Sequence, residues 1–225
     1  MPKTFAAHLS MLPQAQRELW PSLAPLSRLG MVLHGGTAIA LRVSHRDSVD
    51  FDFFTEYPLN RPALFAAFPL LNGSTSIQDE ENTYTVLVPI AGSEVKVSFF
   101  GAITIGRVGE PEATDDGVSL VASLQDLLAQ KLKVVMQRVE AKDYRDIAAL
   151  LRSGLHLAEG MAGAMALYGV NFSPMDCGKA LVYFKGGDLA TVDSKDRETL
   201  LRAVQSLRSS IGPGVILSRS LLPAA

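Results

Sequence analysis

A single cysteine and a single tryptophan occur in a chain of 225 residues. The lone Cys177 can form neither an internal disulfide nor a cysteine-based metal site. Long apolar runs are also missing. Nowhere do roughly 18–20 uncharged apolar residues follow one another, as a membrane-spanning helix requires. The most apolar stretch, residues 160–170, is short and glycine-rich. The opening MPKTFAAHLSMLPQAQREL has neither the long apolar core nor the small-residue cleavage site of a signal peptide. Charge of one sign is scarce too. With 21 Lys+Arg against 23 Asp+Glu, tight, unspecific nucleic-acid binding over the whole surface is not expected. No internal repeat or low-complexity tract is visible. These absences point to a soluble, cytoplasmic protein with no membrane partner.

Apolar residues make up 48% of the chain and charged ones 20%. A disordered chain has fewer of the first and more net charge. The length suits one domain or two small ones, with ample core. The charge is unevenly spread. Residues 1–122 hold 8 Lys+Arg and 13 Asp+Glu, whereas residues 123–225 hold 13 and 10. Such asymmetry is a hint about partners rather than about fold.

The pattern changes near residue 120. Before it, short runs rich in Phe, Val, Tyr and Thr alternate with Gly, Asn, Asp and Pro, which predicts strands at 31–33, 49–54, 84–89 and 95–100. Gly92-Ser93 between two of these runs reads as a hairpin. Helical segments are expected over 14–29, interrupted at Pro21 and Pro25, over 37–43, and from Pro62. After residue 120 the spacing turns helical. Ser123 is a fitting N-cap, with Asp126 three residues on. A helix from Ser123 is expected to break or bend near 140–142, to continue to Arg152 and to end before Gly154. Further helices are expected over 157–168, 174–184 and 194–209, and the tail from Ile211 reads as loop or a docked extension. The expected architecture is α+β: a mixed sheet flanked by helices over residues 1–120, then a helical portion over 121–225.

The segment MVLHGGTAIALRVSHRDSVDFDFF, residues 31–54, carries the chemistry. A buried strand ends in Gly35-Gly36, and a helix begins at once with Thr37. After a spacer of 13 residues, 37–49, a second strand carries Asp50 and Asp52. Residues i and i+2 of a strand share a face, about 7 Å apart, so the two carboxylates are neighbours while Val49, Phe51 and Phe53 bury on the other side. Like charges that close repel unless a cation sits between them. A divalent metal, Mg²⁺ or Mn²⁺, is the natural inference, since Mg²⁺ is commonly held by one or two carboxylates plus substrate phosphates. Glycines followed by a helix N-terminus let a phosphate approach the backbone. Phosphoryl or nucleotidyl transfer requires both parts.

The order strand, Gly-Gly, helix, spacer, strand with Asp-x-Asp resembles the signature of the polymerase-β-like nucleotidyltransferase superfamily. More narrowly, GGTAIAL followed by R-x-S-x-DFDFF resembles the AbiEii/AbiGii family, nucleotidyltransferase-like toxins of bacterial toxin–antitoxin and abortive-infection systems. Gly35, Gly36, Thr37, Arg46, Ser48, Asp50 and Asp52 carry that match. A second match is KLKVVMQRVEAKDYRDIAALL, where Lys142, Asp143 and Asp146 supply the family's Lys-Asp-x-x-Asp. On a continuous helix, Lys131, Arg138, Lys142 and Asp146 would fall on one face. That stripe suits triphosphate or RNA contact, although a solvated face is the commoner fate of charged stripes.

The resemblance implies a nucleotidyltransferase core using an NTP. Asp50 and Asp52 would bind the metal and serve catalysis with Lys142 and Asp146. Gly35, Gly36, Thr37, Arg46, Ser48 and Arg138 would contact the nucleotide phosphates. The implied acceptor hydroxyl belongs to RNA, tRNA in particular, or to a protein side chain, and the implied partner is a cognate antitoxin. Arg46 admits two readings, a structural pair with an aspartate or a substrate contact. His34 reads as a buried histidine, Tyr144 as a packing residue, and Cys177 and Met175 as core. One departure stands out. Superfamily members usually carry a third carboxylate on a later strand, and in Glu94–Phe100 Ser98 occupies that place. Glu94 is about 13 Å away along the strand. Another acid moves in (Asp143 or Asp146), a single metal suffices, or the chain is a degenerate module that binds nucleotide or RNA without transfer.

Overall fold

The computed structural model describes residues 2–207 and 211–224. By internal contacts the chain divides into two compact units. One comprises Met1–Thr104, Glu110–Ala122 and Arg219–Ala225, the other Ile105–Gly109 and Ser123–Ser218.

The first unit is built on a mixed sheet. Its strands are β1 (Thr4–Phe5), β2 (Val32–His34), β3 (Asp50–Phe54), β4 (Thr75–Glu80), β5 (Thr83–Ile90), β6 (Ser93–Phe100), β7 (Glu112–Thr114) and β8 (Leu120–Val121). They are ordered β1-β7-β8-β2-β3-β6-β5-β4. β2 runs antiparallel to β3, and β3 parallel to β6. Helices α1 (Gln14–Leu19), α2 (Gly35–Val43) and α3 (Arg61–Ala67) accompany it. The sheet bears out the expected α+β class. Alternation along β3 follows from its sequence: Phe51 and Phe53 are fully buried, with Trp20 stacked on Phe51 and Phe99 on Phe53. The β5–β6 hairpin turns at Ala91-Gly92, both at positive φ, the geometry of a tight two-residue loop. The prolines at 21 and 25 tighten the expected first helix. Only Gln14–Leu19 is α-helical, and Trp20–Leu29 continues as a 3-10 helix.

Two expectations for this unit are corrected. Val49 does not bury: β3 begins one residue later, and Val49 is 54% exposed. β4 was not expected at all. Every residue of TSIQDE is exposed, so no apolar alternation marks it, and backbone pairing with β5 at the sheet edge makes it a strand.

The second unit is helical: α4 (Leu124–Val134), α5 (Ala141–Arg152), α6 (Leu157–Tyr168), α7 (Pro174–Leu181) and α8 (Ser194–Gln205). The Ser123 hydroxyl caps α4, accepting from the Asp126 N–H at 3.0 Å and donating to its carboxylate at 2.5 Å. Gly160 explains the glycines of the apolar stretch. A Cβ there would lie 2.6 Å from Leu128 Cδ2, so its absence lets α6 approach α4 closely. Tyr144 and Cys177 are buried, and burial pushes the Cys177 thiol up to about 12. Met175 is not core but 70% exposed, at the start of α7. Residues 211–218 of the tail dock on this unit through Gly214 N–H to the Ala162 carbonyl and Leu217 N–H to that of Arg107. Residues 208 and 209 of the helix expected over 194–209 lie outside the described residues.

Of the break or bend expected near 140–142 between Ser123 and Arg152, the structure has the break. α4 stops at Val134, and a new helix starts after Glu140, which is extended and makes no side-chain capping bond. The stripe drawn on one continuous cylinder therefore does not exist. Lys131 instead pairs with Asp143 and Asp146, and Lys142 with Glu140.

Candidate active site

β2 delivers His34 and then Gly35-Gly36, and β3 delivers Asp50 and Asp52 alongside. His34 and Asp52 are register partners and so share a face. His34 is buried and stacks flat on Phe54, ring centroids 4.4 Å apart. Both aspartates remain partly accessible between the buried phenylalanines. The sequence thus places two carboxylates at the point where the Gly-Gly turn opens α2.

Each glycine faces one charged group. Gly35 has φ +74, and a Cβ on it would sit 2.5 Å from Asp52 Oδ2. A Cβ on Gly36 would sit 2.6 Å from Arg46 Nη2 and 3.1 Å from Ser48 Oγ. The absent side chains make room for the Asp52 carboxylate and the Arg46 guanidinium at the helix start. Arg46 also donates to the Asp47 carbonyl at 2.9 Å. The Thr37 hydroxyl is turned inward. It is bonded to Ser48 Oγ at 2.8 Å and to the Asp50 carbonyl, and Thr37 and Ser48 are both buried. This pair ties the start of α2 to the start of β3, which fixes Asp50 relative to the turn.

The neighbouring strand completes the surroundings. In the parallel register Lys96 lies beside Asp50 and Ser98 beside Asp52. Lys96 Nζ is 3.6 Å from Asp50 Oδ2. Ser98 is buried. No group of three or more His, Cys, Asp or Glu side chains suited to a metal occurs among the described residues. The donor set of two carboxylates with a neighbouring hydroxyl fits one divalent cation whose other ligands come from phosphates and water. Sequence reasoning passed over Lys96, although its place two residues before Ser98 was a usable signal.

The helical unit gathers the other expected residues. Lys131 is buried, and its ammonium is 2.7 Å from both Asp143 Oδ1 and Asp146 Oδ2. Both aspartates are fully buried. Arg138 adds a bidentate contact to Asp143, at 2.8 and 3.1 Å. Burial alone would raise the Asp143 carboxyl. The Arg138 guanidinium and the Lys131 ammonium outweigh it and hold the group below the usual carboxylate range. Lys142 points elsewhere, pairing with Glu140 at 2.8 Å on the surface. The Lys-Asp-x-x-Asp segment is thus split: its aspartates share a buried lysine, and its lysine is half exposed.

The architecture is that of nucleotidyltransferase-like proteins. Two solved structures share it at 15% sequence identity each. The nucleotidyltransferase toxin MenT4 of Mycobacterium tuberculosis H37Rv aligns with a TM-score of 0.53, over 85% of this chain and 83% of that one. An antigenic nucleotidyltransferase-like protein of Paracoccidioides brasiliensis aligns with a TM-score of 0.50, over 94% and 98%. Residues 23–176 match the family model described as "Nucleotidyl transferase AbiEii toxin, Type IV TA system", and the chain belongs to that family. An uncharacterized protein of Aquifex aeolicus (strain VF5) is 30% identical over 179 residues, 77% of this chain and 84% of its own length. No helix among the described residues is long and apolar enough to cross a membrane.

Proposed function

We propose that this protein moves a nucleoside monophosphate from an NTP to an acceptor hydroxyl of RNA, tRNA in particular, and acts as the toxin of a toxin–antitoxin pair. The observation that carries this reading is the placement of Asp50 and Asp52 on one face of β3, beside the Gly35-Gly36 turn that opens α2. In the reaction the acceptor oxygen bonds to the α-phosphorus, the bond from that phosphorus to the β-bridging oxygen breaks, and pyrophosphate leaves. Mg²⁺ or Mn²⁺ between the two carboxylates would supply charge neutralisation for the phosphates. Gly35 and Gly36 leave room for the Asp52 carboxylate and the Arg46 guanidinium, and α2 would present its N-terminal N–H groups to a phosphate there. Arg46 is placed over Gly36 to meet the same anion. Thr37 and Ser48 serve as the brace beneath this turn rather than as ligands. In the helical unit, Lys142 and Arg138 are the partly exposed cations proposed for phosphate or RNA, while Asp146 positions Lys131.

The experiment is incubation of the purified protein with labelled NTPs, Mg²⁺ and bulk tRNA. Label transfer that Asp50→Ala abolishes supports the proposal. Absence of transfer with every metal and acceptor, together with normal growth on expression, contradicts it. Ser98 favours a second reading, a module that binds nucleotide or RNA without transferring it. Calorimetric binding of NTP and Mg²⁺ without turnover would decide for that reading.

A further inference from the structure

We infer that Lys96 stands in for a second metal ion, so that the site takes one divalent cation with its nucleotide and the Lys96 ammonium supplies the remaining positive charge toward the triphosphate. The inference rests on the nucleotidyl-transfer reading and goes beyond it to the electrostatics of the site.

The register of β3 and β6 carries the argument. Asp50 and Lys96 are side-by-side partners, as are Asp52 and Ser98, and in a parallel pair such partners project to the same face. A second divalent cation needs further anionic ligands, and the position beside Asp52 offers only the neutral hydroxyl of a buried serine. The position beside Asp50 offers a cation, 3.6 Å from its carboxylate. Formal charge is conserved in the exchange. Three carboxylates with two divalent cations carry one net positive charge. Two carboxylates, one ammonium and one divalent cation carry the same. The triphosphate therefore meets an equal total charge in either arrangement.

Stability does not account for Lys96. Its side chain is 41% exposed and that of Asp50 34%, and an ion pair so open to water contributes about 0–1 kcal/mol. That exposure is what a ligand-facing role needs. The four-carbon stem is flexible, and the ammonium is a compact point charge that can turn from Asp50 to a phosphate oxygen when a cation takes its place on the carboxylate.

The test is equilibrium dialysis of the full chain with Mn²⁺ and an equal mixture of the four α,β-methylene ribonucleoside triphosphates, counting Mn²⁺ and nucleotide retained by the protein. The wild type should retain one Mn²⁺ per nucleotide. Lys96→Ala should weaken nucleotide retention about tenfold, with an unchanged thermal midpoint, and Lys96→Arg should restore it. A chain carrying both Lys96→Ala and Ser98→Asp should retain two Mn²⁺ per nucleotide. Two Mn²⁺ per nucleotide in the wild type overturns the inference, as does unaltered nucleotide retention in Lys96→Ala, and both measurements stand even if the double variant fails to fold. Retention of neither Mn²⁺ nor nucleotide by folded wild type overturns the nucleotidyl-transfer reading itself, and the inference with it.

Discussion

Ser98 lies directly beside Asp52, its register partner across the parallel pairing of β3 and β6. That is where a third carboxylate would complete a three-acid metal site, and the residue present is buried and neutral. One position earlier on the same polar face, Lys96 pairs with Asp50. Two acids of β3 thus have a cation beside one and a hydroxyl beside the other.

Gly35 is the least replaceable residue of the turn. Gly35→Ala would bring a Cβ to 2.5 Å from Asp52 Oδ2 at a φ of +74. The left-handed conformation alone costs about 1–2 kcal/mol, and the carboxylate must also move. We expect a folded protein, less stable by about that amount, with Mn²⁺ binding reduced at least tenfold by calorimetry. Unchanged Mn²⁺ affinity would show that Asp52 is not a metal ligand.

Thr37 separates bracing from ligation. Its hydroxyl is already bonded to Ser48 and to the Asp50 carbonyl. Thr37→Val leaves these buried groups short of a partner, at a cost of about 1–3 kcal/mol. Urea unfolding should register that loss, while the affinity for nucleotide analogue, measured on the folded fraction, should change less than about threefold. A tenfold loss of affinity at unchanged stability would make Thr37 a phosphate ligand instead.

Lys131 holds two buried carboxylates at once. Removing one partner of a buried ion pair typically costs about 3–5 kcal/mol. Lys131→Met should lower stability by an amount of that order in denaturant titrations at neutral pH. The deficit should shrink in acid, where protonated aspartates need no cation. A variant as stable as wild type at pH 7 would mean that the aspartates are held by other groups.

The helical unit should also be acid-sensitive. Asp143 titrates below the usual carboxylate range in the folded state. The unfolded chain, with an ordinary value of about 3.9, takes up the proton first. The contribution of Asp143 is thus complete above about pH 5 and is lost as pH falls through the folded value. Urea midpoints should fall more steeply below about pH 4 for wild type than for Arg138→Ala, which lacks the guanidinium that lowers the group. Parallel slopes would contradict this assignment.

The sequence made the central site legible because its parts are local. Strand, Gly35-Gly36, helix and Asp50-x-Asp52 all fall within residues 31–54, and alternation with Phe51 and Phe53 fixes which way the aspartates face. Long-range features were less visible. β4 is written in polar residues and is a strand through its pairing with β5 alone. The basic stripe requires one unbroken cylinder, whereas residues 135–140 interrupt it and Lys131 is buried against Asp143 and Asp146. The pairing of Lys96 with Asp50 depends on the register between strands more than forty residues apart, which periodicity within either strand does not reveal.

Nucleotidyl transfer predicts where the label of an NTP travels. The most direct measurement supplies RNA and Mg²⁺ with NTPs labelled on the α-phosphorus in one reaction and on the γ-phosphorus in another. The account predicts α-label in the RNA, γ-label in released pyrophosphate, and neither product with Asp52→Asn. Label from the γ-phosphorus in the RNA, or equal transfer by wild type and Asp52→Asn, would contradict it.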